Sequence, residues 1–131
     1  MKKISLLTQI IFHTVNLVLI ILYIYPGSIL GWLIYEDFQK QPQITSDLIF
    51  FSSSHFFAFL TLSVLGLIAF FKKNIKILFL YLFLISTFLE LSHIIIPQRN
   101  FEYKDLFGNV LGVFIVFLIF YFYKSLKKKN L

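Results

Sequence analysis

Four long apolar runs, at about residues 4–25, 48–71, 75–96 and 106–123, take up most of a 131-residue chain. Each can cross a hydrocarbon core roughly 30 Å thick, which takes about 20 residues of α-helix. Hydrocarbon offers no water to a backbone N–H or C=O, so such runs satisfy themselves as helices even when rich in Phe, Ile and Val. The expected fold is therefore all-α: a polytopic membrane four-helix bundle, one domain over residues 1–131, with loops at about 26–47 and 97–105 on one side. Lys2 and Lys3 precede the first run. That run is longer than the apolar region of a signal peptide and no small-x-small cleavage site follows it, so it reads as a retained span.

Composition agrees, since 59% of residues are hydrophobic and only 14% charged, far from the balance of a soluble domain. The net charge of +6 has no soluble basic face on which to meet nucleic acid, and topology explains it better. With no cysteine there is no disulfide frame, thiolate zinc site or Cys nucleophile.

Lys2, Lys3, Lys72, Lys73, Lys76, Lys124, Lys127, Lys128 and Lys129 fall on one side of a four-span chain, against Lys40, Arg99 and Lys104 on the other. Nine cations against three place both termini in the cytoplasm, N-in/C-in. Tyr23, Tyr25, Trp32 and Tyr35 then form an outer aromatic belt, with Tyr121 and Tyr123 at the inner interface. The first loop, PGSILGWLIYEDFQKQPQITSD, begins apolar and predicts a short interfacial or re-entrant helix; its Pro and Gly argue against a fifth span. The tail KSLKKKN reads as a cytoplasmic anchor touching anionic lipid.

Ionisable residues gather where a membrane protein is least expected to put them. Glu90 and His93 lie near the outer end of the third span, Asp105 and Asn109 in the first turns of the fourth, and His55 about two turns into the second. Ser86 and Thr87 extend the Glu90–His93 side into a polar stripe. Asp105, Gly108, Asn109 and Gly112 share a face, as do His55, Ala58, Gly66 and Ala69, and small residues at such spacing predict close helix contact. A carboxylate in this setting needs a partner or a proton, and His55 or Arg99 is the expected partner of Glu90. Pro97 ends the third helix, and the short connection holds Arg99 above the bundle, where its planar fork suits a carboxylate or phosphate. Asp105 also suits a helix cap or first turn.

Glu90-x-x-His93 has the spacing of carboxylate helical bundles, and His55 could add a third ligand. The spacing is short and common by chance, so neither a metal nor a cofactor is expected. Ser54 beside His55 and Ser92 beside His93 do not form nucleophile pairs, because neighbours on a helix point about 100° apart. Gln9, His13 and Asn16 form a separate stripe that is expected to pack within the first span.

From His55 onward the chain resembles the VanZ-like family of small bacterial membrane proteins. The family pattern has a His followed by an aromatic, a Glu, an Arg after a short loop, an Asp six later, an Asn four later and a Gly three later. This chain has HFFAF at His55, Glu90 in ELSH, Arg99 in PQR, then Asp105 and Asn109 in KDLFGN, and Gly112, over about residues 47–117. It departs in lacking the Asp-Lys before the His, in carrying His93 where Gln is usual, and in Val116 at a later Gly. The resemblance implies a bacterial cytoplasmic-membrane protein of the cell envelope, in a family whose namesake is linked to low-level teicoplanin resistance.

The expected function is an outer-leaflet pocket for a lipid-linked or envelope molecule, with Arg99, Asp105 and Asn109 as ligand-binding residues. If there is catalysis, His55 and Glu90 are its acid/base candidates. The alternative is a non-enzymatic membrane subunit or scaffold whose polar cluster only fixes helix packing and whose Trp32–Phe38 stretch docks a partner. No polar path joins the cluster to the His13 stripe, which argues against a transporter.

Overall fold

The computed structural model describes residues 2–43 and 45–129, with side chains from 6 to 43 and from 45 to 128. The side chains of Lys2, Lys3 and Lys129, three of the cations that set the expected orientation, lie outside the described residues, as does Asn130 of the tail. The described residues form five helices and no strand: α1 (Lys2–Ile24), α2 (Ile29–Tyr35), α3 (Ser53–Phe70), α4 (Ile75–Ser92) and α5 (Tyr103–Lys129). All but α2 are long and apolar enough to cross a membrane, over Leu6–Ile24, Ser53–Phe70, Ile75–Ser92 and Tyr103–Lys128. The chain is built as a multi-pass membrane protein.

Burial is inverted relative to a soluble bundle. Leu17, Ile77, Leu80, Phe88, Ile119 and Phe122 face outward, a surface that lipid accepts and water does not. Phe12, Phe59, Leu62, Phe79, Leu82 and Val113 fill the interior. The spine of the packing is α3, with α5 along one side and α1 along another, while α4 closes against α5 and α3. Gly108 and Gly112 make the α3–α5 approach possible: a Cβ on Gly112 would lie 2.6 Å from the Phe56 carbonyl oxygen, and one on Gly108 2.7 Å from that of Ser52. Gly66 serves a different neighbour, lying against Phe12 of α1 and Leu78 of α4. The two small-residue stripes therefore do not simply face each other, since the His55 end of α3 meets α5 and its Gly66 end meets α1 and α4.

Helix ends differ from the hydropathy boundaries for local reasons. The second span begins at Ser53 rather than near Leu48, because Asp47 Oδ1 accepts the Ser53 N–H at 3.1 Å and starts the helix there. Leu48, Ile49 and Phe50 stay outside it, exposed. The third span ends at Ser92, short of Ile96, in a series of tight turns closed by bonds such as Ile94 N–H to the Leu91 carbonyl, 3.1 Å. Pro97 cannot continue a helix, and its ring would press on the carbonyl four residues back, so the loosening begins before it. Conversely α5 begins before Leu106 and runs past Tyr123 into the lysine tail, 27 residues or about 40 Å.

The short helix expected in the first loop is α2. Ser28 Oγ accepts the Gly31 N–H at 2.9 Å, Glu36 closes the other end in the left-handed region at φ 55°, and Ser28 N–H reaches the Phe38 carbonyl at 2.7 Å. Gly27, at φ +86°, and Gly31, pressed on the Lys40 carbonyl, allow this fold-back. The segments 25–43, 45–52 and 93–102 lie at one end of the bundle; the α3–α4 turn, the start of α1 and the end of α5 lie at the other.

Candidate functional site

Four helix ends meet at the long-loop end, and each delivers polar side chains. Tyr23 sits at the end of α1, His55 in the first turn of α3, Glu90 in the last turn of α4 with His93 as its C-cap, and Asp105 and Asn109 in the first two turns of α5. Glu90 and Asn109 are wholly buried (0% exposed each), and His93 nearly so. The five residues expected to converge do converge.

Their hydrogen bonds define which atoms carry protons. Tyr23 Oη donates to Asn109 Oδ1 at 2.6 Å, so that hydroxyl can accept from His55 Nδ1 at 2.9 Å, with Asn109 Oδ1 also 3.1 Å from the same nitrogen. Asn109 Nδ2 donates to the Ser86 carbonyl at 3.2 Å, fixing the amide's orientation. His55 Nδ1 is thereby a donor, and in the neutral ring its Nε2 points a lone pair toward Asp105 Oδ2, 3.4 Å away. Ser52 hydrogen-bonds the Asp105 carboxyl from the α3 side.

Glu90 is held from two directions. Oε1 accepts the Glu102 backbone N–H at 3.2 Å and lies 3.3 Å from His93 Nδ1, while His93 Nε2 donates to the Tyr23 carbonyl at 3.0 Å. Oε2, buried, has no hydrogen-bond partner and lies 3.7 Å from His55 Nδ1. Tyr23 packs between the histidines, stacked on His93 at 5.6 Å between centroids and edge-on to His55 at 5.2 Å. One ligand atom each from His55, Glu90 and Asp105 lie within 4.8 Å of one another. His93 supports Glu90 from behind, so the grouping with metal-ligand geometry contains Asp105 in place of the His93 that the i, i+3 spacing indicated.

Arg99 takes a role that spacing could not disclose. Its Nε donates to the Tyr25 carbonyl at 3.2 Å and its Nη2 to the Leu22 carbonyl, so it caps the C-terminal end of α1 instead of pairing with Glu90. Burial pulls its pKa below the ordinary value, against the raising pull of Tyr23, Glu90 and Asp105.

Beside this cluster lies a cavity of about 560 Å³, bounded by α1, α2, the 41–43 segment and the start of α3. Val15, Val18, Leu19 and Leu22 form its apolar wall along α1, and Tyr23, His55, His93 and Arg99 form its polar end. Glu90, Asp105 and Asn109 stand behind that first layer and are not among its lining residues. Comparison with protein-family profiles, with curated proteins and with solved structures finds no match for this chain.

Tyr23 is the residue that sequence reasoning misplaced. Of the residues expected in the belt, Tyr25, Trp32, Tyr35 and Tyr123 are exposed and Tyr121 is half-buried, whereas Tyr23 is 8% exposed and joins the cluster. The signal was periodicity: Phe12, Asn16, Leu19 and Tyr23 follow one another at 4, 3 and 4 residues and are the buried face of α1. In the other stripe, Gln9 Nε2 donates to the Ala69 carbonyl at 3.3 Å and Asn16 Nδ2 to Tyr81 Oη, but His13 faces outward.

Proposed function

We propose that this chain is a VanZ-like protein of the bacterial cytoplasmic membrane, both termini inside, whose cavity takes a lipid-linked or cell-envelope amphiphile from the outer leaflet. In that role it contributes to resistance to teicoplanin-type glycopeptides. One observation carries the reading: a single cavity joins an apolar wall, Val15 to Leu22, to a polar end of Tyr23, His55, His93 and Arg99, the division an acyl or prenyl chain with an anionic head requires. The resemblance at His55, Glu90, Arg99, Asp105, Asn109 and Gly112 supports it, since those positions meet at one end of the bundle. The excess of lysines at the opposite end supports the orientation.

In this reading His55 is the cavity-facing acid/base candidate, Glu90 acts behind it, and Arg99 meets the anionic head while holding α1. Asp105 and Asn109 orient His55 from below. The test is survival of a deletion strain on teicoplanin, complemented by wild type, Ala58→Phe, which fills the cavity wall, or Glu90→Gln, at matched membrane abundance. Rescue by wild type alone is expected; full rescue by both variants would remove the pocket reading.

A second reading has its own observation. The polar side chains engage other protein groups, from the Tyr23–Asn109–Ser86 chain to Arg99 on two carbonyls, as helix packing alone would require. The protein is then a non-enzymatic membrane subunit, docking through exposed Trp32, Leu33, Ile34 and Tyr35 of α2. Polar substitutions on α2 would abolish the phenotype in that case, and Ala58→Phe would not.

A further inference from the structure

We propose that His55, Glu90 and Asp105 form a binding site for one divalent transition-metal ion, reached from the cavity past His55. The first observation is a juxtaposition of acceptors. Tyr23 and Asn109 engage His55 Nδ1, which leaves the Nε2 lone pair facing a carboxylate oxygen of Asp105 at 3.4 Å. Two acceptors in that relation need either a shared proton or a metal cation between them. The separation exceeds the 2.7–3.2 Å of an ordinary N–H···O bond. It is close to the roughly 3.4 Å between neighbouring ligands around a tetrahedral ion whose bonds are about 2.0–2.1 Å.

The second observation is independent of the first. Glu90 Oε2 is buried and has no hydrogen-bond partner, and Glu90 supplies one of the three ligand atoms that lie within 4.8 Å of one another. A carboxylate oxygen so enclosed is costly unless something positive meets it. Its sister oxygen already accepts the Glu102 N–H.

The surroundings have the form of an outer coordination sphere. Each of the three residues has one side anchored to the scaffold: His55 by Tyr23 and Asn109, Glu90 by the Glu102 N–H, and Asp105 by Ser52. Anchoring of that kind fixes ligand orientation and tautomer. One imidazole and two carboxylates suit zinc and its first-row neighbours, and their two negative charges match a divalent ion. A fourth position would face the cavity through His55, whose side chain is 14% exposed, and would accept an anionic oxygen such as a phosphoryl group.

The inference goes beyond the pocket reading, and zinc binding is measured with no lipid added, so either can fail alone. The full chain, purified in detergent, stripped with chelator and dialysed against Zn²⁺, is assayed for metal per chain by mass spectrometry and for thermal unfolding. Wild type and Glu36→Gln, an exposed side chain at the end of α2, should each retain one zinc and gain thermal stability with it. Glu90→Gln and Asp105→Asn should bind at least tenfold more weakly; if Glu90→Gln does not fold, Asp105→Asn decides. Folded wild type that retains no zinc, or equal retention by wild type and the Asp105→Asn variant, overturns the site.

Discussion

The two ends of the bundle are held by different physics. At the terminal end, rings interlock: Phe79 meets Phe117 edge-on at 5.1 Å, and Phe117 meets Tyr121 at 4.5 Å, with Phe120 and Phe71 alongside. At the long-loop end, hydrogen bonds and ion pairs join Tyr23, His55, Glu90, Asn109 and Asp105, and each needs a particular donor or acceptor. Ring packing is satisfied by volume and shape, so it tolerates exchange among apolar residues. Directional contacts tolerate almost none, which makes the polar end the expensive choice if stability were its only purpose.

The steepest loss belongs to the apolar end. Phe79→Ala removes a ring that is 1% exposed and should destabilise the protein by about 3–5 kcal/mol, whereas Phe79→Met should cost less than about 1.5 kcal/mol. Unfolding midpoints in detergent measure both. Equal losses would mean that shape matters as narrowly here as at the polar end, and the contrast would collapse.

Asn109→Leu comes next. It keeps the branched heavy-atom shape but deprives Tyr23 Oη and the Ser86 carbonyl of their partner, for a loss of about 1–3 kcal/mol. Tyr23→Phe should cost about 1 kcal/mol, because one hydroxyl is deleted and the ring still stacks on His93. That variant also frees His55 Nδ1 to turn toward Glu90 Oε2, 3.7 Å away. The His55 imidazole resonances should therefore shift while the unfolding midpoint moves little. A large fall in stability with unchanged resonances would show that Tyr23 serves packing alone.

The apolar frame was legible in the sequence because a bilayer leaves the backbone one economical solution, and long apolar runs declare it. The convergence of His55, Glu90, His93, Asp105 and Asn109 was legible too, since four alternating spans put those positions at one depth. What escaped was set by backbone atoms or by a choice of face. Arg99 binds the carbonyls of Leu22 and Tyr25, and a carbonyl has no residue type to be recognised by. Asp47 begins α3 from six residues upstream, beyond the usual capping distance. Tyr23 could serve a belt or a core, and only the spacing through Phe12, Asn16 and Leu19 decides between them.

His13 offers the gentlest test, and the one closest to that lesson. It belongs to the same residue type as His55 and His93 and lies in a membrane span, yet it faces outward with its ring against the edge of Phe70, 5.8 Å between centroids. If burial among partners is what gives a histidine its role here, His13→Leu should change stability by no more than about 0.5 kcal/mol, as an exposed substitution does. It should also leave the complementation phenotype intact, whereas His55→Leu should abolish it at similar abundance. A loss of phenotype in His13→Leu would instead extend the working region down α1, past the apolar wall of the cavity, and would reopen the possibility of a polar path through the bundle.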